Sequence, residues 1–298
     1  MKHRSGFVAI LGRPNAGKST LLNALLGTKL AIVAPRPQTT RTAVQGVLRL
    51  PGAQIVFVDT PGIHESSTLL NKRMMDQVRS SADADVVLFL VDAMARFHDE
   101  DAGAVDLVKK TRAPAIAVFN KIDKLREKAK LLALIERYQA MHDFAAYIPI
   151  SALKGDGVDL LQKEILKRMP EGPALYPKDH LTDQPERFLA AEIVREKVLH
   201  LTRQEVPHAV AVMIENWEDS PALVRIAATI YVERPGQKAI LIGAGGALLK
   251  KIGTLARREI ETLAGKKVFL QTFVKVRPNW RQDPEFLAAT DWRGMAGT

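Results

Sequence analysis

The stretch "GRPNAGKST", Gly12–Thr20, decides how the first half of this chain is read. It fits the pattern G-x-x-x-x-G-K-[ST], with a strand-like run, Phe7–Leu11, before it and a helix-like run, Ser19–Leu26, after it. A phosphate-cradling loop requires that context. Gly12 and Gly17 let the backbone through Arg13, Pro14, Asn15 and Ala16 turn so that several N–H groups converge on phosphate oxygens. The helix beginning near Lys18 adds its positive end. Lys18 reaches the β- and γ-phosphates, and Ser19, followed by Thr20, offers a hydroxyl to Mg2+.

Around this loop, short apolar runs alternate with amphipathic ones. Strands are expected at Phe7–Leu11, Val44–Leu50, Ile55–Val58, Val86–Val91, Ala115–Phe119 and Tyr147–Ile150. Helices are expected at Ser19–Leu26, near Leu70–Ser80, and at Asp101–Lys110, Lys128–Met141 and Val158–Lys167. The alternation implies an α/β fold with a mostly parallel sheet covered on both faces.

Three further motifs end strands. "NKID", Asn120–Asp123, follows Phe119. The Asp123 carboxylate can accept paired hydrogen bonds from the N1 and N2 donors of guanine, which adenine lacks. Asn120 would tie the base edge to the phosphate loop, and the Lys121 stem would cover the ring. "SAL", Ser151, Ala152 and Leu153, can offer a backbone N–H to guanine O6. "DTPG", Asp59–Gly62, closes the run Ile55–Val58, so that Asp59 can hold Mg2+ through a water and Gly62 can sense the γ-phosphate. Upstream, "RPQTTR" supplies a hydroxyl to the metal, with Thr40 preferred over Thr39. These loops would order with GTP and relax on hydrolysis.

In this order the motifs resemble those of GTPases. Many GTPases carry a glutamine directly after the DxxG glycine to orient the attacking water. Here the residue is Ile63, which has no hydrogen-bonding side chain, so slow intrinsic turnover is expected. Lys18, Asn15 and Gly62 are the residues expected to act on the γ-phosphate. In similar GTPases an asparagine at the position of Asn15 helps bind K+ beside the β–γ bridge, and the alternative is that Asn15 only shapes the loop. His64 is a weak candidate for a general base.

The composition shifts at "MPEGPALYPKDHLTDQP", Met169–Pro185, where Pro170, Pro173, Pro177 and Pro185 suggest a semi-rigid linker. A small α+β pattern follows: a helix at Glu186–Thr202, strands at Ala209–Trp217 and Val224–Glu233, a helix at Ala247–Ala264 and a strand at Val268–Val276. Gly243-Ala244-Gly245-Gly246 forms a GxxG turn between two helical stretches, followed by Lys250 and Lys251. A KH fold clamps about four nucleotides at such a turn. Ala247–Arg277 carries eight Lys or Arg against two Glu, which favours a polyanionic partner. Ile240, Ile242, Leu249 and Ile252 are expected to line an apolar groove for the bases, with Val268–Val276 as its other wall. The partition is residues 1–170 as GTPase domain, 171–185 as linker, 186–282 as type II KH domain and 283–298 as tail.

"RPNAGKS", "PQTTR", "DTPGIH", "NKID", the Pro-rich linker and the "ERF…REKVL" segment at Glu186–Leu199 together resemble the Era family over roughly residues 5–282. The resemblance implies a Mg2+-dependent GTPase that binds GTP and GDP. It implies binding to single-stranded RNA near the 3′ end of 16S ribosomal RNA, assembly of the 30S subunit, a cytoplasmic monomer, and peripheral association with the cell membrane. One departure is that family members often carry a polar residue inside the GxxG turn, where this chain has Ala244 and Gly245.

The whole chain fits these expectations. It has 298 residues, a net charge of +10, 47% hydrophobic residues and no cysteine, which suits a reducing compartment and excludes disulfides and thiolate metal sites. Its apolar runs, such as Val86–Val91, are too short to span a bilayer. A basic start, residues 1–5, runs into a strand at Phe7, so no signal or transit peptide is expected. A transfer-RNA-modifying GTPase would need further catalytic groups such as a reactive cysteine. A lipid-reading regulator would need a basic helix with bulky aromatics, and Ala247–Ala264 has none.

Overall fold

A computed structural model describes residues 3–36, 39–63, 68–80, 83–97, 99–202 and 206–292. The chain forms two compact units: residues 1–31, 40–66 and 71–183, and residues 32–39, 67–70 and 184–298.

In the first unit, β1 (Arg4–Gly12), β2 (Val44–Leu50), β3 (Ala53–Asp59), β4 (Val86–Asp92), β5 (Ala115–Asn120) and β6 (Ala146–Pro149) build one sheet in the order β2-β3-β1-β4-β5-β6. Only β2 runs antiparallel to its neighbour. The central strands are continuous apolar runs because helices cover both faces: "VVLFLV" of β4 and "AIAVF" of β5 are buried throughout. The helices are α1 (Lys18–Leu26), α2 (Leu69–Ser80), α3 (Asp99–Lys109), α4 (Lys128–Met141) and α5 (Val158–Arg168). One core layer gathers Phe89, Phe119, Tyr138 and Phe144, with ring centroids 5.8–6.0 Å apart. The phosphate-loop motif follows β1, DTPG follows β3, NKID follows β5 and SAL follows β6. All four therefore emerge at the carboxyl edge of the parallel strands, where open α/β sheets place ligands.

The Pro-rich segment differs from a spacer. Residues 171–183 run along the first unit: Val47 N–H donates to Leu181 O (2.8 Å), Gln54 Nε2 to Tyr176 O (2.9 Å) and Thr182 Oγ1 to Gln45 O (2.6 Å). β2 is an edge strand, and this segment satisfies its exposed backbone groups.

The second unit contains α6 (Glu186–Leu201), β7 (Ala211–Asp219), β8 (Leu223–Val232), α7 (Pro235–Ile242), α8 (Ala247–Ala264) and β9 (Lys267–Val276). β7 and β8 pair antiparallel with a bulge between Ile214 and Asn216, and β8 and β9 pair parallel. α8 turns Ile252, Ala256 and Ile260 inward at four-residue spacing, onto Val268 and Val274 of β9 and the buried face of α6. Ile252, expected to line a groove, is fully buried and belongs to this core. The segment Ile32–Thr39 is held to α6: Val33 N–H donates to Glu196 Oε1 (2.8 Å), and Arg195 Nη2 donates to Thr39 O.

Within the expected tail, residues 283–292 are described and hold a helix, just after a buried tryptophan. Trp280 is buried and its indole N–H donates to Ala209 O (3.0 Å). α9 (Pro284–Ala289) starts from Asp283, whose carboxylate accepts from the N–H groups of Glu285 and Phe286. Phe286 packs on Tyr231. An Asp N-cap followed by Pro at the first helical position is a helix start legible in "QDPEF". Among the described residues no single helix is long and apolar enough to cross a membrane.

Candidate functional site

The phosphate loop closes on itself. Lys18 is buried, and its ammonium donates to Gly12 O (3.1 Å) and Arg13 O (3.0 Å). Burial lowers its pKa to about 8, against the opposing pull of Asp59. Gly17 has φ +98°, and a Cβ there would lie 2.3 Å from Asn120 Nδ2, so a side chain is excluded by both backbone and space. Thr20 is half-buried in the first turn of α1. The Arg13 guanidinium turns to Asp101 Oδ2 on α3 (2.9 Å), a link with no signal in the sequence. Asn15 has φ +62°, a conformation that Asn tolerates better than most side chains, and its carbonyl accepts from Lys121 Nζ (2.6 Å).

Three oxygen donors from three separated segments converge. Ser19 Oγ donates to Asp59 Oδ2 (2.7 Å), Thr40 Oγ1 lies 2.8 Å from Ser19 Oγ, and Thr40 Oγ1 donates to the same Asp59 oxygen (3.1 Å). All three side chains are buried. Asp59 Oδ1 is buried with no hydrogen-bond partner among the described residues. Burial raises the Asp59 pKa to about 6, with Lys18 and the two hydroxyls opposing. An all-oxygen set with one unsatisfied buried carboxylate oxygen fits a hard divalent cation such as Mg2+. Thr39 is turned away, its hydroxyl donating to Arg36 O (2.7 Å).

Gly62 lies against the loop. A Cβ on it would stand 2.7 Å from Pro14 N and 2.8 Å from Pro14 Cα. Ile63 N–H donates to Gly12 O (3.1 Å), and its side chain leans on the core layer. The Thr60 hydroxyl donates to Ile10 O (2.8 Å), which anchors DTPG to β1. His64 lies outside the described residues, as do Pro37 and Gln38 of the upstream loop.

The residues expected to read the base are also assembled. Asn120 Nδ2 donates to Ala16 O (2.8 Å), and Asn120 Oδ1 accepts from Ala152 N–H (2.9 Å), so one buried amide joins the phosphate loop, NKID and SAL. Lys121, with φ +71°, extends to Asp92 Oδ2 (2.6 Å), which fixes its stem. Ser151 Oγ donates to Asp123 Oδ1 (2.7 Å), and Asp123 itself is exposed. Leu153 is exposed at the rim. No motif singles out Asp92, although its place at the carboxyl end of β4 marks it as a site residue.

In the second unit, α7 stops at Ile242, Gly243 to Gly246 form a tight turn, and α8 leaves at 49° to α7. Gly245 and Gly246 have positive φ, and no atom lies within 4 Å of where their Cβ atoms would be, so the turn is open to a close approach. Ala244, Lys250 and Lys251 are exposed. Ile240 is 48% exposed, while Ile242 is half-buried against the core.

A phosphate loop, a buried Ser-Thr-Asp oxygen cluster and an NKID base site on one sheet, followed by a GxxG unit, define a GTPase carrying a KH domain. Residues 7–121 match the family model described as 50S ribosome-binding GTPase, and residues 205–281 match the KH domain. The chain is 50% identical over 287 residues to the GTPase Era of Geobacter metallireducens, covering 95% of this chain and 96% of that protein. It is 47% identical to the GTPase Era of Syntrophus aciditrophicus, with coverage of 95% and 94%. Among solved structures it is similar to Era in complex with MgGDPNP and nucleotides 1506–1542 of 16S ribosomal RNA, at 44% identity and TM-score 0.94, covering 97% of this chain and 99% of that one. A single-residue variant of Aquifex aeolicus Era bound to GDP.AlF4- gives 44% identity and TM-score 0.93, with the same coverage. The chain belongs to the GTPase Era family.

Proposed function

We propose that this chain is a GTP-hydrolysing switch that binds single-stranded RNA at the 3′ end of 16S ribosomal RNA and assists assembly of the small ribosomal subunit. It acts as a monomer in the cytoplasm. The observation that carries this reading is the full-length likeness to an Era structure holding both MgGDPNP and that RNA, together with the open GxxG turn of this chain.

Ser19, Thr40 and Asp59 would hold Mg2+, which, when bound, neutralises charge developing on the β- and γ-oxygens. The ammonium of Lys18 leaves the carbonyls of Gly12 and Arg13 for the phosphates. Backbone N–H groups of the loop cradle the same oxygens. Ile63 offers no hydrogen-bonding side chain, so another group would place the in-line water: backbone near Gly62, a structural water or a partner. Asn15 is the residue through which K+ would enter. Asp123 reads guanine, with Ser151 holding its carboxylate in place. Support for coupling comes from chain continuity: Thr39, bonded to Arg195, and Thr40, in the oxygen cluster, are adjacent residues.

Gly245→Asp tests the RNA assignment by placing a carboxylate in the open turn. Fluorescence anisotropy with the 1506–1542 RNA should show binding lost while GTP hydrolysis is unchanged. Retained RNA affinity would remove the turn from the site.

A further inference from the structure

Along β9 the side chains alternate. Val268 and Val274 enter the core, while Lys267, Phe269, Gln271, Phe273 and Lys275 face outward. The outward row therefore reads Lys-Phe-Gln-Phe-Lys. Phe269 is 46% exposed and Phe273 48%. On β8, Arg225 is registered opposite Phe269, with its guanidinium 5.6 Å from the ring centroid. Lys267 and Arg225 make no ion pair among the described residues, and Lys275 has only a distant one, 3.9 Å from Glu215. α9 meets this face through Phe286 on Tyr231, at the end registered with Lys275.

β9 is an edge strand, and both α7 and α8 pack on it. A strand of RNA held at the GxxG turn can therefore pass over the free edge of β9 onto the outward face. Two phenylalanines four residues apart on one strand stand about 13 Å from each other, far enough to take separate bases. They do not form one contiguous apolar patch, as a protein-docking face would. Instead cations bracket them and an amide lies between them. Exposed aromatics in a row of cations are a stacking platform for single-stranded nucleic acid.

We propose that the outward face of β9 is a second contact for single-stranded RNA, distinct from the GxxG turn. Phe269 and Phe273 each stack a base, Arg225, Lys267 and Lys275 meet phosphates, and Gln271 meets a base edge. The proposal rests on the RNA-binding reading above and extends the footprint beyond the nucleotides clamped at the turn.

The test uses full-length protein and two single strands from the 3′ end of the 1506–1542 segment, four and twelve nucleotides long, in anisotropy titrations at fixed salt. The double variant Phe269→Ala/Phe273→Ala should bind the twelve-mer more weakly by about tenfold or more per ring, with four-mer affinity, GTP hydrolysis and melting temperature unchanged. Phe273→Tyr, which keeps a stacking ring, should retain twelve-mer affinity. Unchanged twelve-mer affinity in the double variant overturns the proposal, as does equal loss for both lengths. Unchanged RNA affinity with a change in sedimentation would give this face to a second copy of the chain and also overturn it. Failure of the wild type to bind either strand refutes the RNA reading itself.

Discussion

Gly62→Ala perturbs the site by one methyl group. The new carbon would stand 2.7 Å from Pro14 N and 2.8 Å from both Pro14 Cα and Cγ. Ordinary carbon contacts begin near ~3.5 Å, so either the DTPG loop or the phosphate loop must give by about 0.8 Å. Two of the three atoms are backbone of the phosphate loop, which is tied through Ile63 N–H to Gly12 O and through Asn120 to Ala16 O. The displacement therefore falls on the groups proposed to face the γ-phosphate. A misplacement of about 1 Å costs on the order of 100-fold in rate, or ~2.7 kcal/mol of barrier. Single-turnover hydrolysis at saturating GTP and Mg2+ should slow by about that factor. GDP affinity should hold, because Asn120, Asp123 and Ser151 lie beyond the clash. Hydrolysis within twofold of wild type would refute the close approach and its role.

Other outcomes follow from the same geometry. Asp123→Asn removes a charged acceptor for guanine, worth about 1.5–3 kcal/mol, so GTP affinity should fall roughly tenfold to a hundredfold while xanthine nucleotides gain; competition binding reads both. Trp280→Ala leaves a cavity and an unbonded Ala209 carbonyl, and urea unfolding should show a loss of about 3–5 kcal/mol. In nucleotide- and metal-free protein, burial sets Asp59 at about 6 and Lys18 at about 8. The Asp59 contribution is full below the ordinary carboxylate range and is lost as pH rises through 6; that of Lys18 is full above the ordinary lysine range and is lost as pH falls through 8. Both are lost at pH 7. The melting-temperature gap between wild type and Asp59→Asn should therefore move in favour of wild type from pH 7 to pH 5, and an unchanged gap would refute burial as the cause.

Local signals carried most of the fold. β2, α4 and α8 fall where alternation and helical periodicity place them, because each is a single unbroken pattern. The gathering of the four motifs at one edge was legible because each motif ends a strand, and parallel strands share one carboxyl edge. Several other contacts between distant segments were not. Nothing near Arg13 announces Asp101, since their meeting depends on how α3 packs. Prolines at Pro170–Pro185 signal stiffness but not that the segment covers the edge of β2. Ile252 shares the composition of a groove, and only the phase of α8 against β9 turns it into the core. α9 reads as tail because six residues are too few for a periodic signal, although Asp283-Pro284 marks the start.

The most direct measurement is the affinity of full-length protein for the 1506–1542 RNA by fluorescence anisotropy, with GDP and with a non-hydrolysable GTP analogue at one salt concentration. The account predicts tighter binding with the GTP analogue, since Thr40 belongs to the proposed metal cluster and its neighbour Thr39 is bonded to Arg195 of α6 in the unit proposed to bind RNA. Equal affinity in the two nucleotide states would contradict the switch.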